Sequence, residues 1–291
     1  MAQALRAHWI EQVPWLGACA VAADIGSGPA VLARMLANHR GADLAGLHWI
    51  CIDSAHWPGA REALQGARLT LRTGENFADA LPPPGGVDAL LSNFGLEYVD
   101  PQAAAEACWA WLAGGARLHA VIHARGSVID RAASANLADI GCALHEVRLF
   151  DRASAMLQAL ATAPADPVDR MMHAMDVRDA YNDAVNVLKA RMQAAGSRSA
   201  PLVDMLQGIT VLAARVREGH LGAALEALNA RAAAYGAEHA RLEAMRRAAL
   251  DEAGLSALVE ALSRAGLRQV QTRPLDSGLG QVAWAVVGRK P

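Results

Sequence analysis

The sequence predicts an α/β protein: a doubly wound, seven-stranded, mostly parallel sheet, its last strand antiparallel, with a large helical insertion after the fifth strand. Three observations carry this. Strand and helix signals alternate through residues 1–125, as repeated right-handed crossovers require. Strand signals then vanish from 126 to 250, where apolar positions recur at three and four. After 251 an amphipathic helix and two strand patterns return, joined by a link too short for a crossover.

The first strand is expected at 20–24, where an apolar run reaches Asp24. The turn I-G-S-G-P-A at 25–30 follows, then a helical pattern at 31–38. Glycines here let a backbone approach a ligand at the mouth of a parallel sheet, beside a helix N-terminus. The second strand is expected at 48–53, ending in Asp53, and a helix at about 60–65. Further strands are expected at 68–73, 88–92 and 117–123, with a helix at 102–112 before the last. Gly114-Gly115 reads as that helix's C-terminal cap.

The middle segment carries apolar positions at helical spacing from Met171 to Met192, Val203 to Val216, Leu221 to Tyr235, and Leu242 to Ala249. Asp166-Pro167 reads as a helix start. Ala195-Gly196-Ser197 and Glu218-Gly219-His220 read as breaks. The expected division is 1–125, 126–250 and 251–291, the last completing the first with a helix at 251–265, a Gly266 cap and strands at 267–274 and 281–288. The helical segment is expected to be a lid or a dimerisation element, so a homodimer through it is compatible with the sequence.

Composition narrows the class. The 291 residues are 53% hydrophobic and 19% charged, with a net charge of -2. That balance gives no field suited to nucleic acid or an anionic membrane. Arg241, Arg246 and Arg247 are interrupted by acids and read as a solvated helix face. Cys19, Cys51, Cys108 and Cys142 lack zinc or redox spacing, no His/Cys/carboxylate cluster suggests a metal, and no leader or membrane span is evident. A cytoplasmic protein with reduced thiols is expected.

Asp24 ahead of the glycines would repel a pyrophosphate, and it suits a ligand with a cationic or hydroxyl-rich part. Asp53 is placed to accept ribose hydroxyls. With these residues the chain resembles the class I S-adenosylmethionine-dependent methyltransferases. D-I-G-S-G-P-A at 24–30 looks like their first motif, with Ala30 where a third glycine is frequent. T-G-E-N-F-A-D-A-L-P at 73–82, V-D-A-L-L-S-N-F-G-L-E-Y-V at 87–99 and W-L-A-G-G-A-R-L-H-A-V-I-H at 111–123 are similar to the segments that follow.

The resemblance implies S-adenosylmethionine as cofactor, with Asp24, Gly26, Ser27, Gly28, Asp53, Ser54, Glu75, Asn76 and Asn93 as its binding set. Glu75 takes the adenine-facing acidic place, and Trp57 either packs near the adenine or is plain core. Catalytic residues are poorly marked, because the donor carries its own leaving group and the protein chiefly aligns the reactants. By position the candidates are His123, Glu97 and Tyr98. Glu97 alternatively caps the helix starting near Pro101.

The expected activity is methylation of a small-molecule acceptor, with oxygen favoured over nitrogen because histidine suits a base near neutral pH. The alternatives are a nucleic-acid methyltransferase, disfavoured by charge and by S-N-F-G at 92–95, and a non-catalytic scaffold.

Overall fold

A computed structural model describes residues 2–39, 44, 46–57, 68–162, 175–194 and 199–291. The helix expected at about 60–65, the start at Asp166-Pro167, the break at 195–197, and Met171 lie outside the described residues.

The sheet is formed by β1 (Val21–Ile25), β2 (His48–Asp53), β3 (Arg68–Thr73), β4 (Val87–Asn93), β5 (Leu112–His123), β6 (Arg268–Ser277) and β7 (Gly280–Arg289). Their order is β3-β2-β1-β4-β5-β7-β6. The pairs from β3 through β5 are parallel, and β7 runs antiparallel to both β5 and β6. The order reverses between β1 and β4, so a crevice opens beyond the carboxyl ends of those strands.

Alternating strand residues feed two cores. On one face Ala23, Ile25, Leu90, Leu118, Ala120 and Ile122 pack with α4 (Pro101–Trp111) and α10 (Glu252–Arg264). On the other, Ala22, Leu91, Val121, Ala283 and Ala285 pack with α1 (Ala2–Ile10), α2 (Val13–Leu16) and α3 (Val31–Ala37). The N-terminal helices bury Trp9 and Leu16 there.

Asp100 caps α4, accepting from the N–H groups of Gln102 and Ala103, and Pro101 takes the first position, where no N–H is needed. The same helix ends differently from expectation. Gly114-Gly115 does not cap it: Leu112 already has extended geometry, and the glycines lie within β5 where its register against β4 shifts. Gly115 at φ +82° accommodates that bulge. Gly266, at φ +110°, does terminate α10, and the final hairpin closes through Gly278 and Leu279 between Ser277 and Gly280.

Two compact units result: residues 1–131 with 247–291, and residues 132–246. In the first, the chain is pinned where it leaves and returns. Leu250 N–H donates to the His123 carbonyl, Arg125 N–H donates to the Leu250 carbonyl, and the Arg125 guanidinium reaches the Ala249 carbonyl. The second unit is helical through its described residues. It contains α6 (Leu149–Ala161), α7 (Met175–Ala194), α8 (Ala200–Arg217) and α9 (Leu221–Ala248), and α5 (Val128–Gly141) runs into it through a π-helical turn at Cys142–Glu146. The two apolar groups read after Leu221 belong to the single helix α9. Leu188, Met205, Ile209, Leu228 and Met245 are buried within it. An Arg191–Asp139 ion pair at 2.6 Å and a Tyr235–Asp204 hydrogen bond at 2.5 Å supplement that packing.

Candidate cofactor cavity at the carboxyl ends of the strands

A cavity of about 230 Å³ lies at the carboxyl ends of β1 and β2. Gly26, Asp53, Ser54, Glu75, Asn76 and Tyr98 line it. Ile25, Ile52, Phe77, Gly95 and Val99, none of them among the expected site residues, complete its wall. Asp24, Ser27, Gly28, Asn93, Glu97 and His123 are not among its lining residues.

The glycine turn is held from behind. Gly26 and Ser27 N–H groups both donate to the Ile52 carbonyl, and Gly28 N–H donates to Asp53 Oδ2 at 2.7 Å. Asp53 Oδ1 accepts from Ala55 N–H at 2.8 Å. Its carboxylate is therefore oriented by one backbone donor per oxygen, and each oxygen keeps acceptor capacity for a ligand. Gly26 has φ +67°, and a Cβ there would lie 2.6 Å from the Gly95 Cα. A Cβ on Gly95 would lie 2.3 Å from the Ile25 carbonyl oxygen. Two backbones touch here because neither carries a side chain. Ala30 occupies a left-handed conformation, φ +60° and ψ +45°, ahead of α3. A third glycine would relax it.

Asp24 departs from expectation. It is 1% exposed and neither carboxyl oxygen has a partner. Burial first, then the neighbouring Asp53 charge, pushes its pKa up to about 8. Its charged form is therefore disfavoured where it stands. Glu75 leans on Arg72, accepting from Nε at 3.0 Å and from the terminal nitrogen at 2.5 Å. Asn76 spends its side chain on its own turn, accepting from Ala78 N–H and donating to Asp79. Asn93 ends β4 and accepts from the Trp9 indole N–H at 2.8 Å. That bond ties it to α1. Trp57 is 41% exposed, so it is not core.

The three catalytic candidates fall into two places. Tyr98 is exposed at the cavity. Glu97 and His123 are buried together: Glu97 Oε1 accepts from the His123 backbone N–H at 2.9 Å. Glu97 thus holds the end of β5 and does not cap α4, a role taken by Asp100. Its Oε2 has no partner, and burial pushes its pKa up to about 7. That value suits proton transfer near neutrality. The His123 ring stacks on Phe94, 4.0 Å between centroids and 10° between planes. Phe94 itself sits at φ +64°, a strained choice for an aromatic residue. Nothing in the S-N-F-G motif indicated that the phenylalanine would face the histidine.

Among the described residues, no group of three His, Cys, Asp or Glu side chains is arranged to hold a metal, and no helix is long and apolar enough to cross a membrane. The sheet order and its single antiparallel strand are those of the class I methyltransferase fold.

No protein-family model and no curated protein sequence matches the chain. Solved structures resemble it at low identity. A possible exported protein from Bordetella parapertussis is 17% identical over 98% of this chain and 67% of its own, with a TM-score of 0.44. An S-adenosylmethionine-dependent methyltransferase from Archaeoglobus fulgidus is 10% identical over 100% of this chain and 95% of its own, also at 0.44. Human N-acetylserotonin methyltransferase, solved with S-adenosylmethionine, is 11% identical over 99% of this chain and 54% of its own, at 0.42. The chain spans about half the length of the human protein's chain and about two thirds of the Bordetella one. The fold assignment rests on strand order and register.

Proposed function

We propose that the chain is an S-adenosylmethionine-dependent methyltransferase acting on a small-molecule acceptor. The observation that carries this reading is Asp53: a carboxylate at a strand end, oriented by two backbone N–H groups, facing a cavity at the switch point of the sheet. The residues present fit a nucleoside. Asp53 and Ser54 would receive the ribose hydroxyls, Asn76 and Phe77 would border the base, and Glu75 would stay paired with Arg72. Asp24, Ser27 and Gly28 would lie toward the amino-acid portion, where the unpartnered Asp24 oxygens await a hydrogen-bond partner.

The bound cofactor would supply a methyl group already activated on a sulfonium. The chain's own part is then alignment, exclusion of water and custody of one proton. Phe94 holds the His123 ring plane, and Glu97 anchors the His123 backbone. His123 is the proposed base for a hydroxyl acceptor. The buried thiols Cys51, Cys108 and Cys142 support a reducing, cytoplasmic setting for the enzyme.

Calorimetric titration with S-adenosylhomocysteine tests this. One-to-one binding is expected. Asp53→Asn should weaken it by about 1.5–3 kcal/mol, the scale of a hydrogen bond to a charged group. The amide keeps one acceptor but sets a donor against the other backbone N–H, so the loss reports the oriented carboxylate as a whole, its hold on the Gly28 and Ala55 N–H groups included. Absence of heat with the wild-type chain would leave the scaffold reading in its place.

A further inference from the structure

A second, larger cavity, about 360 Å³, lies on the sheet face that carries α1 and α2. It is built from the first half of β5, the end of antiparallel β7 and the start of β6. This is the amino end of the parallel strands, and it shares no lining residue with the cofactor cavity.

Its lining contains Arg117, Arg273 and Arg289 and no acid. Arg117 and Arg289 stand directly opposite across β5 and β7. Arg268 stands opposite Arg289 from β6. Like charges at directly paired positions are destabilising, so this row costs stability unless an anion joins it. Glu11, outside the lining, reaches Arg273 only at 3.7 Å between exposed groups, too weak to neutralise the set.

The cationic groups are positioned. The Arg117 guanidinium sits over the Trp15 ring at 5.5 Å, and Arg289 Nε donates to the Gly115 carbonyl. Arg273 approaches His8 Nδ1 at 3.1 Å. A guanidinium only donates, so that nitrogen accepts and His8 carries its proton on Nε2. His8 therefore donates to His119 Nε2, 2.8 Å away, and burial of both rings disfavours their protonation. Arg273 is steered by a chain of two buried histidines.

The β6 strand is also deformed at this place. Its register against β7 shifts between Arg268 and Gln271, and Gln269 takes φ +54°. Gln269 and Gln271 both line the cavity, adding amide donors beside the guanidinium groups. Bulges and non-glycine residues at positive φ collect where a strand aims a side chain at a ligand.

We propose that this cavity binds a small polyanion, a metabolite carrying at least two phosphate or carboxylate charges. Arg117 and Arg289 grip one anionic group between them, and Arg273 with the glutamine amides receives the other. The volume falls in the range of small-molecule sites.

Titrating the full chain at low ionic strength with inorganic pyrophosphate, and separately with citrate, tests the site. Saturable one-to-one binding of at least one is expected, and the tighter probe assigns phosphate or carboxylate chemistry. Arg117→Gln, Arg273→Gln and Arg289→Gln should each weaken binding at least about tenfold, as loss of a charge-assisted bond requires. Arg264→Gln, an exposed arginine on α10, should not. Asp53→Asn should leave this binding intact, which separates the proposal from the cofactor assignment. Pyrophosphate or citrate should also raise the melting temperature of the wild type, and raise it less in the three cavity variants. No saturable binding of either probe would overturn the proposal. So would binding unchanged by all three cavity substitutions, or weakened equally by Arg264→Gln.

Discussion

Replacing Glu97 with glutamine should change stability with a sign that reverses with pH. In the native state the carboxyl is buried, one oxygen holds the His123 N–H and the other has no partner. Its pKa rises from 4.5 to about 7. At about 1.36 kcal/mol per pH unit, keeping Glu97 ionised costs the native state ~3 kcal/mol relative to the unfolded chain. The sign follows from proton binding. Between the two values the native state holds a proton that the unfolded state has released, so stability falls as pH rises from 4.5 through 7. Glutamine keeps the acceptor for His123 N–H and never ionises. It leaves an amide donor where Oε2 was, at a cost of about 1 kcal/mol at every pH. Glu97→Gln should therefore be about 1 kcal/mol less stable than wild type at pH 4.5 and below, and about 2 kcal/mol more stable at pH 8. Urea unfolding at half-unit pH intervals from 4 to 8 measures the difference directly. A difference that does not change with pH would refute the reasoning, because it would mean that Glu97 titrates alike in both states.

Two other substitutions probe the fold around the cavities. Gly95→Ala should destabilise the protein by about 2–3 kcal/mol or more, since its Cβ would meet the Ile25 carbonyl oxygen at 2.3 Å; a loss below about 1 kcal/mol in urea unfolding would show that the turn yields freely. His119→Gln should flatten the acid limb of the stability profile. Burial, with His8 and Arg273 beside it, lowers the His119 pKa from 6.5 to about 3. Its stabilising contribution is thus fully present above pH 6.5 and lost as pH falls toward 3, when the unfolded chain takes up a proton that the native ring refuses. An acid limb of unchanged slope would contradict this.

The sheet was legible because its strands are short apolar runs with sharp ends. The expected spans 48–53 and 68–73 coincide with β2 and β3, and Asp53 falls at its strand end as the pattern indicates. The errors arose where one residue type serves two purposes. Gly114-Gly115 has the composition of a helix cap, yet β-bulges draw on the same conformational freedom. Glu97 has the spacing of a cap, yet Asp100 sits nearer the helix and takes the role. Asp24 reads as a charge in composition, and what composition does not carry is that burial and then the Asp53 charge disfavour its ionised form. Contacts between distant segments left no trace in local pattern. The bond from Trp9 to Asn93, the stack of Phe94 on His123 and the run from Arg273 through His8 to His119 join residues that only tertiary packing brings together.

The position of β7 between β5 and β6 has a consequence for synthesis. β5 is complete at His123, but the strand that covers its open edge begins at Gly280, roughly 150 residues later. At about 5–20 residues per second, ribosomes would leave that edge unpaired for on the order of 8–30 s. An unpaired edge is a template for another chain. Arg117, the first β5 residue that pairs with β7, places a charge on that edge during the interval, and charged residues disfavour edge-to-edge pairing. Of the three cavity arginines only Arg117 is present while that edge is open; Arg273 and Arg289 arrive with the strands that cover it.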